Sequence, residues 1–251
     1  MKSLDVLFTP ADFATLKSRK LDDATCVVFD VFRATSSMVT ALANGAEAII
    51  PVGEIPEALA VKQKNPTILL AGERDGVRIR AALTGGTDFD LGNSPREFTK
   101  EIVAGKTIVT TTTNGTRALR SCAHAKTVLI GSLLNLKATA DFIFRAPPAH
   151  LILICSGTYE QTAYEDALAV GALCDLLWGK LEQSHASDSA KMARELYLMA
   201  AKDLLKAAST SRNGMRLCGI PELRDDVPFC MQRDIFNFTA ALGKDGTVKR
   251  L

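Results

Sequence analysis

The chain has 251 residues, 47% hydrophobic and 23% charged, with a formal net charge of +2. That profile is an ordinary globular one, long enough to bury a sizeable core, and its near-neutral charge argues against a general nucleic-acid or membrane-surface binder. With no apolar run of membrane-spanning length and no signal-peptide core at its start, the chain is expected to be cytoplasmic, without a membrane partner.

Residues 1–9 read as a first strand. Cys26-Val27-Val28-Phe29 is an unbroken apolar run inside a strand expected over Asp22–Val31, the pattern of a strand covered on both faces. Asp30 falls at its carboxyl end, with Arg33 just beyond. Thr35 and Ser36 are N-cap types, and Met38, Val39 and Leu42 follow at helical spacing, closed by Asn44-Gly45. A short strand over Glu47–Val52 precedes a helix over 54–64 with Pro56 in its first turn. The strand Thr67–Ala71 runs into Gly72-Glu73-Arg74-Asp75-Gly76, residues 81–95 read as loop, and Asn93-Ser94-Pro95 opens a helix.

Lys106–Thr113 is the next strand, and Asn114-Gly115-Thr116 turns into a helix over Arg117–Cys122. Strands at Thr127–Gly131 and His150–Cys155 flank a helix at 135–145 that Pro147-Pro148 ends. A long helix is expected at 163–181. A second, over Asp188–Ala208, carries Met192, Leu196, Met199 and Leu204 on one face, with Asp203 within that face as a local ion-pair residue. A short helix near 222–233 and a closing strand or turn complete the chain.

This alternation predicts an α/β fold: a three-layer sheet with helices on both faces and mostly parallel or mixed strands. It reads as a single domain over 1–251, or two tightly joined lobes with the part from about residue 182 packed on the first. The apolar faces of the helices between 163 and 208 would serve equally as core or as a homo-oligomer contact. The six cysteines form no C-x-x-C pair, so a reducing compartment is expected, and the three histidines show no metal-ligand spacing.

Ligands of open α/β sheets bind beyond the carboxyl ends of the strands. Four such ends here supply Asp30 and Arg33; Glu73 and Arg74; Thr112, Thr113, Asn114 and Gly115; and Ser156 and Gly157, with Glu165 and Asp166 opening the next helix. Acids that can hold Mg²⁺, arginines that grip phosphate, and glycine or threonine turns suit metal-assisted phosphoryl transfer. Polar residues collect at any strand end, so each position alone is equally explained by caps and ion pairs.

Familiar motifs fail on inspection. Cys218 and Arg224 have a cysteine-phosphatase spacing, but Pro221 removes a needed N–H and Asp225 would repel phosphate. Gly105-Lys106-Thr107 lacks the earlier Walker glycine and enters a strand. Asp30-Val31-Phe32 lacks the second acid of the aspartyl-phosphate phosphatases.

Longer motifs carry a resemblance. They are Val28-Phe29-Asp30-Val31-Phe32-Arg33-Ala34-Thr35-Ser36, Ala41-Leu42-Ala43-Asn44-Gly45-Ala46, Ala71-Gly72-Glu73-Arg74, Phe89-Asp90-Leu91-Gly92-Asn93-Ser94-Pro95 and Thr111-Thr112-Thr113-Asn114-Gly115-Thr116-Arg117-Ala118. Ile130-Gly131-Ser132 with Asn135, Glu165-Asp166-Ala167-Leu168 with Gly171-Ala172-Leu173, and Asp226-Val227-Pro228-Phe229-Cys230 follow in order. Together, over nearly the whole chain, they resemble the magnesium-dependent 2-phosphosulfolactate phosphatases of the coenzyme M pathway.

The resemblance implies Mg²⁺-dependent hydrolysis of a phosphate ester on a small sulfonated or carboxylated acid. Asp30, Glu73, and Glu165 or Asp166 are then the candidate metal ligands. Arg33 and Arg74 are the anion clamps. Thr35, Ser36, Asn93, Ser94 and the Thr113-Asn114-Gly115-Thr116 turn face the phosphate. A metal-activated water is the expected nucleophile, with Asp30 as the rival. Two segments depart from the family pattern: 77–88 is longer, and Thr158–Ala163 lacks a glycine- and serine-rich turn, and both bear on the substrate pocket. A non-catalytic binder of small anionic metabolites, or a lyase or isomerase acting on a phosphorylated acid, are the alternatives.

Overall fold

The computed structural model describes residues 1–16, 18–179 and 185–251. Among them, one sheet contains β1 (Ser3–Leu7), β2 (Ala24–Phe29), β3 (Ala48–Pro51), β4 (Leu69–Arg74), β5 (Val77–Arg78), β6 (Thr107–Thr111), β7 (Thr127–Gly131), β8 (His150–Cys155), β9 (Ala240–Leu242) and β10 (Val248–Arg250). Their order is β1-β8-β2-β7-β9-β10-β3-β6-β4-β5. β1, β8, β2 and β7 form one parallel block, and β3, β6 and β4 form another. The β9–β10 hairpin bridges them, pairing antiparallel to β7 on one side and to β3 on the other.

Followed from strand to strand, these pairings make the second block run opposite to the first. In a flat sheet its carboxyl ends would lie at the far edge. Sheets twist by about 20–25° per strand, so the six steps from β2 to β4 accumulate about 120–150° and swing those ends back toward the carboxyl end of β2.

β2 explains the layering. All six of its residues are buried, and alternate side chains enter different cores. Val27 and Phe29 pack with Leu129 and Leu153 against the Tyr164–Trp178 helix. Cys26 and Val28 pack with Ile130 and Ile154 against Met38, Val39 and Leu42 of the Ala34–Ala43 helix. Each such buried Val, Leu or Phe contributes about 1.5–3 kcal/mol. A third cluster, including Leu70, Ile79, Phe89 and Val109, covers the second block. The three-layer α/β architecture expected from the alternation is therefore present.

The helical region after residue 163 differs from expectation. The first helix spans Tyr164–Trp178, and the expected end at 181 lies outside the described residues. The second is broken into Asp188–Ala200, a 3-10 turn over Ala201–Asp203, and Leu204–Ser209. Asp203 accepts the Lys206 N–H at 3.0 Å as the cap of that last piece, rather than forming an ion pair. Met192 and Met199 are exposed, and the buried face is Ala190, Ala193 and Tyr197. The reason is close helix approach: a Cβ on Gly171 would stand 2.1 Å from the Ala193 carbonyl oxygen, so residue 171 must be glycine for Ala193 and Tyr197 to seat there. All six cysteines are free thiols, and all but Cys218 are buried.

Candidate active site

β2 ends at Phe29, and the loop that follows closes on itself. The Asp30 N–H donates to Thr35 Oγ1 at 3.0 Å, and the Thr35 N–H donates to the Asp30 carbonyl at 3.1 Å. This ties the strand to the start of the Ala34–Ala43 helix, whose first N–H, that of Ala34, donates to Asp30 Oδ1 at 3.1 Å. Oδ2 faces Gly115. A Cβ there would stand 2.8 Å from Asp30 Oδ2 and 2.6 Å from Ala34 Cβ, so two helix starts meet over the carboxylate only because residue 115 is glycine. Burial pushes the Asp30 carboxyl up to about 7, and the negative charges of Glu73 and Glu165 add to it. The Ala34 N–H and the Arg33 guanidinium oppose the rise.

From the other block, β4 delivers Glu73 to the same pocket. Its Oε1 accepts from the Thr113 N–H at 2.9 Å and the Thr113 hydroxyl at 3.0 Å, and its Oε2 accepts from the Gly76 N–H at 2.7 Å. The β4–β5 turn has positive φ at both Asp75 (53°) and Gly76 (76°), as a two-residue type I′ hairpin requires. Its Gly76 carbonyl accepts from Arg33 Nη2 at 2.6 Å. Arg33 Nη1 in turn pairs with Asp226 at 2.7 Å, with both side chains buried, and Ser94 Oγ donates to the other Asp226 oxygen at 2.6 Å. This pair ties residues 193 positions apart across the floor of the pocket.

The two acids that open the Tyr164–Trp178 helix part company. Asp166 accepts the N–H groups of Val31 (2.8 Å) and Gly157 (3.2 Å), bracing both loops from behind. Glu165 Oε1 accepts from Asn213 Nδ2 at 2.6 Å, while its buried Oε2 has no hydrogen-bond partner among the described residues. Burial raises both carboxyls.

Asp30, Arg33, Glu73, Asn93, Thr113 and Asn114 therefore line one pocket, as expected for a common site. Thr35, Ser36 and Thr116 do not line it. They are buried loop fasteners, Ser36 bonding the Val31 carbonyl and Thr116 pairing with Thr112. Ser94 serves Asp226, and Gly115 shapes the wall. Arg74 is absent from the lining: its guanidinium donates to the Glu73 carbonyl at 2.7 Å and to Thr111 Oγ1 at 3.1 Å. β4 continues through Arg74, so Glu73 and Arg74 are successive strand residues and point to opposite faces. Sequence reasoning missed Asp226 as a partner of Arg33. It also missed Thr158, Tyr159, Asn213 and Arg216 of the far wall; the unusual Thr158–Ala163 segment was the one signal there.

Among the described residues, no three His, Cys, Asp or Glu side chains form a closed metal cage. Magnesium rarely uses one: it is typically bound by one or two carboxylates and keeps several waters beside a substrate phosphate. Asp30 and Glu73, both lining the pocket, fit that donor set, and Glu165, which lies outside the lining, is near enough for its charge to raise Asp30. Asp166 does not line the pocket; its oxygens accept the Val31 and Gly157 N–H groups behind it.

A family model described as 2-phosphosulpholactate phosphatase matches residues 12–244. Similar chains include a probable 2-phosphosulfolactate phosphatase of Caldicellulosiruptor saccharolyticus, 38% identical over 85% of this chain and 87% of that one. The protein of the same description from Caldanaerobacter subterraneus is 36% identical over 97% of each chain. The one from Clostridium tetani is 35% identical over 98% of this chain and the whole of its own.

Proposed function

The chain belongs to the 2-phosphosulfolactate phosphatase family, and from that premise we propose that its pocket hydrolyses 2-phosphosulfolactate to sulfolactate and phosphate with the help of Mg²⁺. The observation that carries this reading is the meeting of Asp30 and Glu73, from two oppositely running strand blocks, in one pocket with Asn93, Thr113 and Asn114. Asp30, Glu73 and the unpartnered oxygen of Glu165 would hold the ion. When bound, the ion would neutralise phosphate charge and make water a better nucleophile.

The remaining work falls to the chain. Asn93 and Asn114 offer amide donors to phosphate oxygens. Asp30 Oδ1 is engaged by Ala34, so Oδ2 is the oxygen left to face the ion and the attacking water; the proton that the water loses is the one the departing ester oxygen takes up. The water oxygen bonds to phosphorus as the ester P–O bond breaks. The electron pair leaves with the ester oxygen, which takes a proton to become the hydroxyl of the product.

Phosphate release from a panel of small phosphorylated acids tests this. Release from 2-phosphosulfolactate that is lost with EDTA and restored by Mg²⁺ supports the reading. Binding without turnover would make the chain a metabolite-binding protein, and substrate loss without phosphate release would make it a lyase or isomerase.

A further inference from the structure

The substrate proposed above carries three acidic groups, and the pocket's cations bear on how one not transferred is recognised. Of the lining residues, only Arg33 and Arg216 are cationic. Arg33 is buried and neutralised by Asp226 at 2.7 Å, with its second amino group on the Gly76 carbonyl. Little of its charge is left for a ligand.

Arg216 stands differently. It lies on the Arg212–Cys218 helix, is exposed at the rim, and has no carboxylate within ion-pair reach among the described residues. Among the described residues its one hydrogen bond goes to a neutral acceptor, the Asp75 carbonyl. Its guanidinium rests on Gly76, where a Cβ would come within 3.4 Å of Cζ and Nη2. The charge is thus uncompensated, while its orientation is fixed by the same hairpin turn that holds Glu73. Beside it, Leu217 and Ile220 supply an apolar wall.

We propose that Arg216 is the specificity residue for the sulfonate of the substrate. This rests on the phosphatase reading. In 2-phosphosulfolactate the carboxylate shares the carbon that bears the phosphate, and the sulfonate sits one carbon further out. With phosphate at the Asp30–Glu73 pole, the more distant group falls toward the rim. A fixed planar guanidinium offers parallel donors to two of its oxygens.

Kinetics of Arg216→Gln and Arg216→Lys on 2-phosphosulfolactate and on 2-phospholactate, which lacks only the sulfonate, test the assignment. The Gln variant should lose on the order of 10- to 100-fold in kcat/KM on the first ester, chiefly through KM, as a charge-assisted contact is removed. Its activity on 2-phospholactate should match that of the unmodified chain, and the Lys variant should recover part of the loss. Equal losses on both esters, or no loss on either, would overturn the assignment. If the unmodified chain does not turn over 2-phospholactate, calorimetric titration with sulfolactate and with inorganic phosphate decides. Weaker sulfolactate binding with unchanged phosphate binding supports Arg216, and any other pattern refutes it. No phosphate release by the unmodified chain from any ester is instead the failure of the phosphatase reading.

Discussion

The carboxyl ends of β2 and β4 present one acid each to the pocket, and the two are furnished in opposite ways. Glu73 receives three donors, two from Thr113 and one from Gly76, so both its oxygens are engaged. The Asp30 carboxylate receives one donor, the Ala34 backbone N–H, and is raised to about 7 by burial and by neighbouring acids. A carboxylate surrounded by N–H and O–H groups fastens loops. A carboxylate left short of compensation is where added positive charge or a proton is most needed, and so where chemistry is concentrated.

The comparison breaks if the two acids respond alike to neutralisation. Asp30→Asn should lower kcat on 2-phosphosulfolactate by at least about 10³-fold, the scale of losing a group that acts on the reacting atoms, with little loss of stability. Full turnover by that variant would refute the site. Glu73→Gln should weaken Mg²⁺-supported turnover and, unlike Asp30→Asn, also show in denaturant unfolding, with about 2–3 kcal/mol lost because the new amide meets the Gly76 N–H donor-to-donor. A Glu73→Gln protein as stable as the parent would remove the fastening role.

Gly115→Ala sharpens the contrast without replacing either acid. Its methyl must displace Ala34 or Asp30 Oδ2, so turnover should drop about ten-fold, while stability falls by about 1–3 kcal/mol from overpacking. Unchanged kinetics would mean that Asp30 tolerates the shift.

The smallest effect is on pH dependence in EDTA. A carboxyl raised from 3.8 to about 7 in the folded chain binds more protons there than in the unfolded chain between those values. Its contribution to stability is therefore present at low pH and lost as pH rises through about 7. Glu165 and Asp166, also raised, act in the same direction. Between pH 5 and 8 the melting temperature of the unmodified chain should fall by several degrees more than that of Asp30→Asn. Parallel curves would show that Asp30 is already ionised at the lower pH.

Much of this was legible in local pattern. The apolar run before Asp30 announced a doubly covered strand, the strand–helix alternation announced the layers, and Asn114-Gly115 announced the turn beside it. Arg74 was misplaced because Gly72-Glu73-Arg74 reads as the end of a strand, whereas β4 continues through it and alternation sends the arginine away. Arg33 read as an anion clamp because its neutralising partner, Asp226, is 193 residues distant, and no local spacing encodes such a pair. Arg216 sits on a short helix with no motif of its own, and its value comes only from where the Asp75–Gly76 turn meets it. The reversed direction of the second block was equally invisible, since it follows from where β9 and β10 insert.

That insertion governs how the molecule comes into being. The two strands that join the halves of the sheet are the last two of its ten to be synthesised, so until they are made the other eight form two unjoined slabs with raw edges at β7 and β3. Assembly of the pocket is deferred until that closing clasp arrives, and a protease that clips it away should uncouple Asp30 from Glu73 without cutting near either.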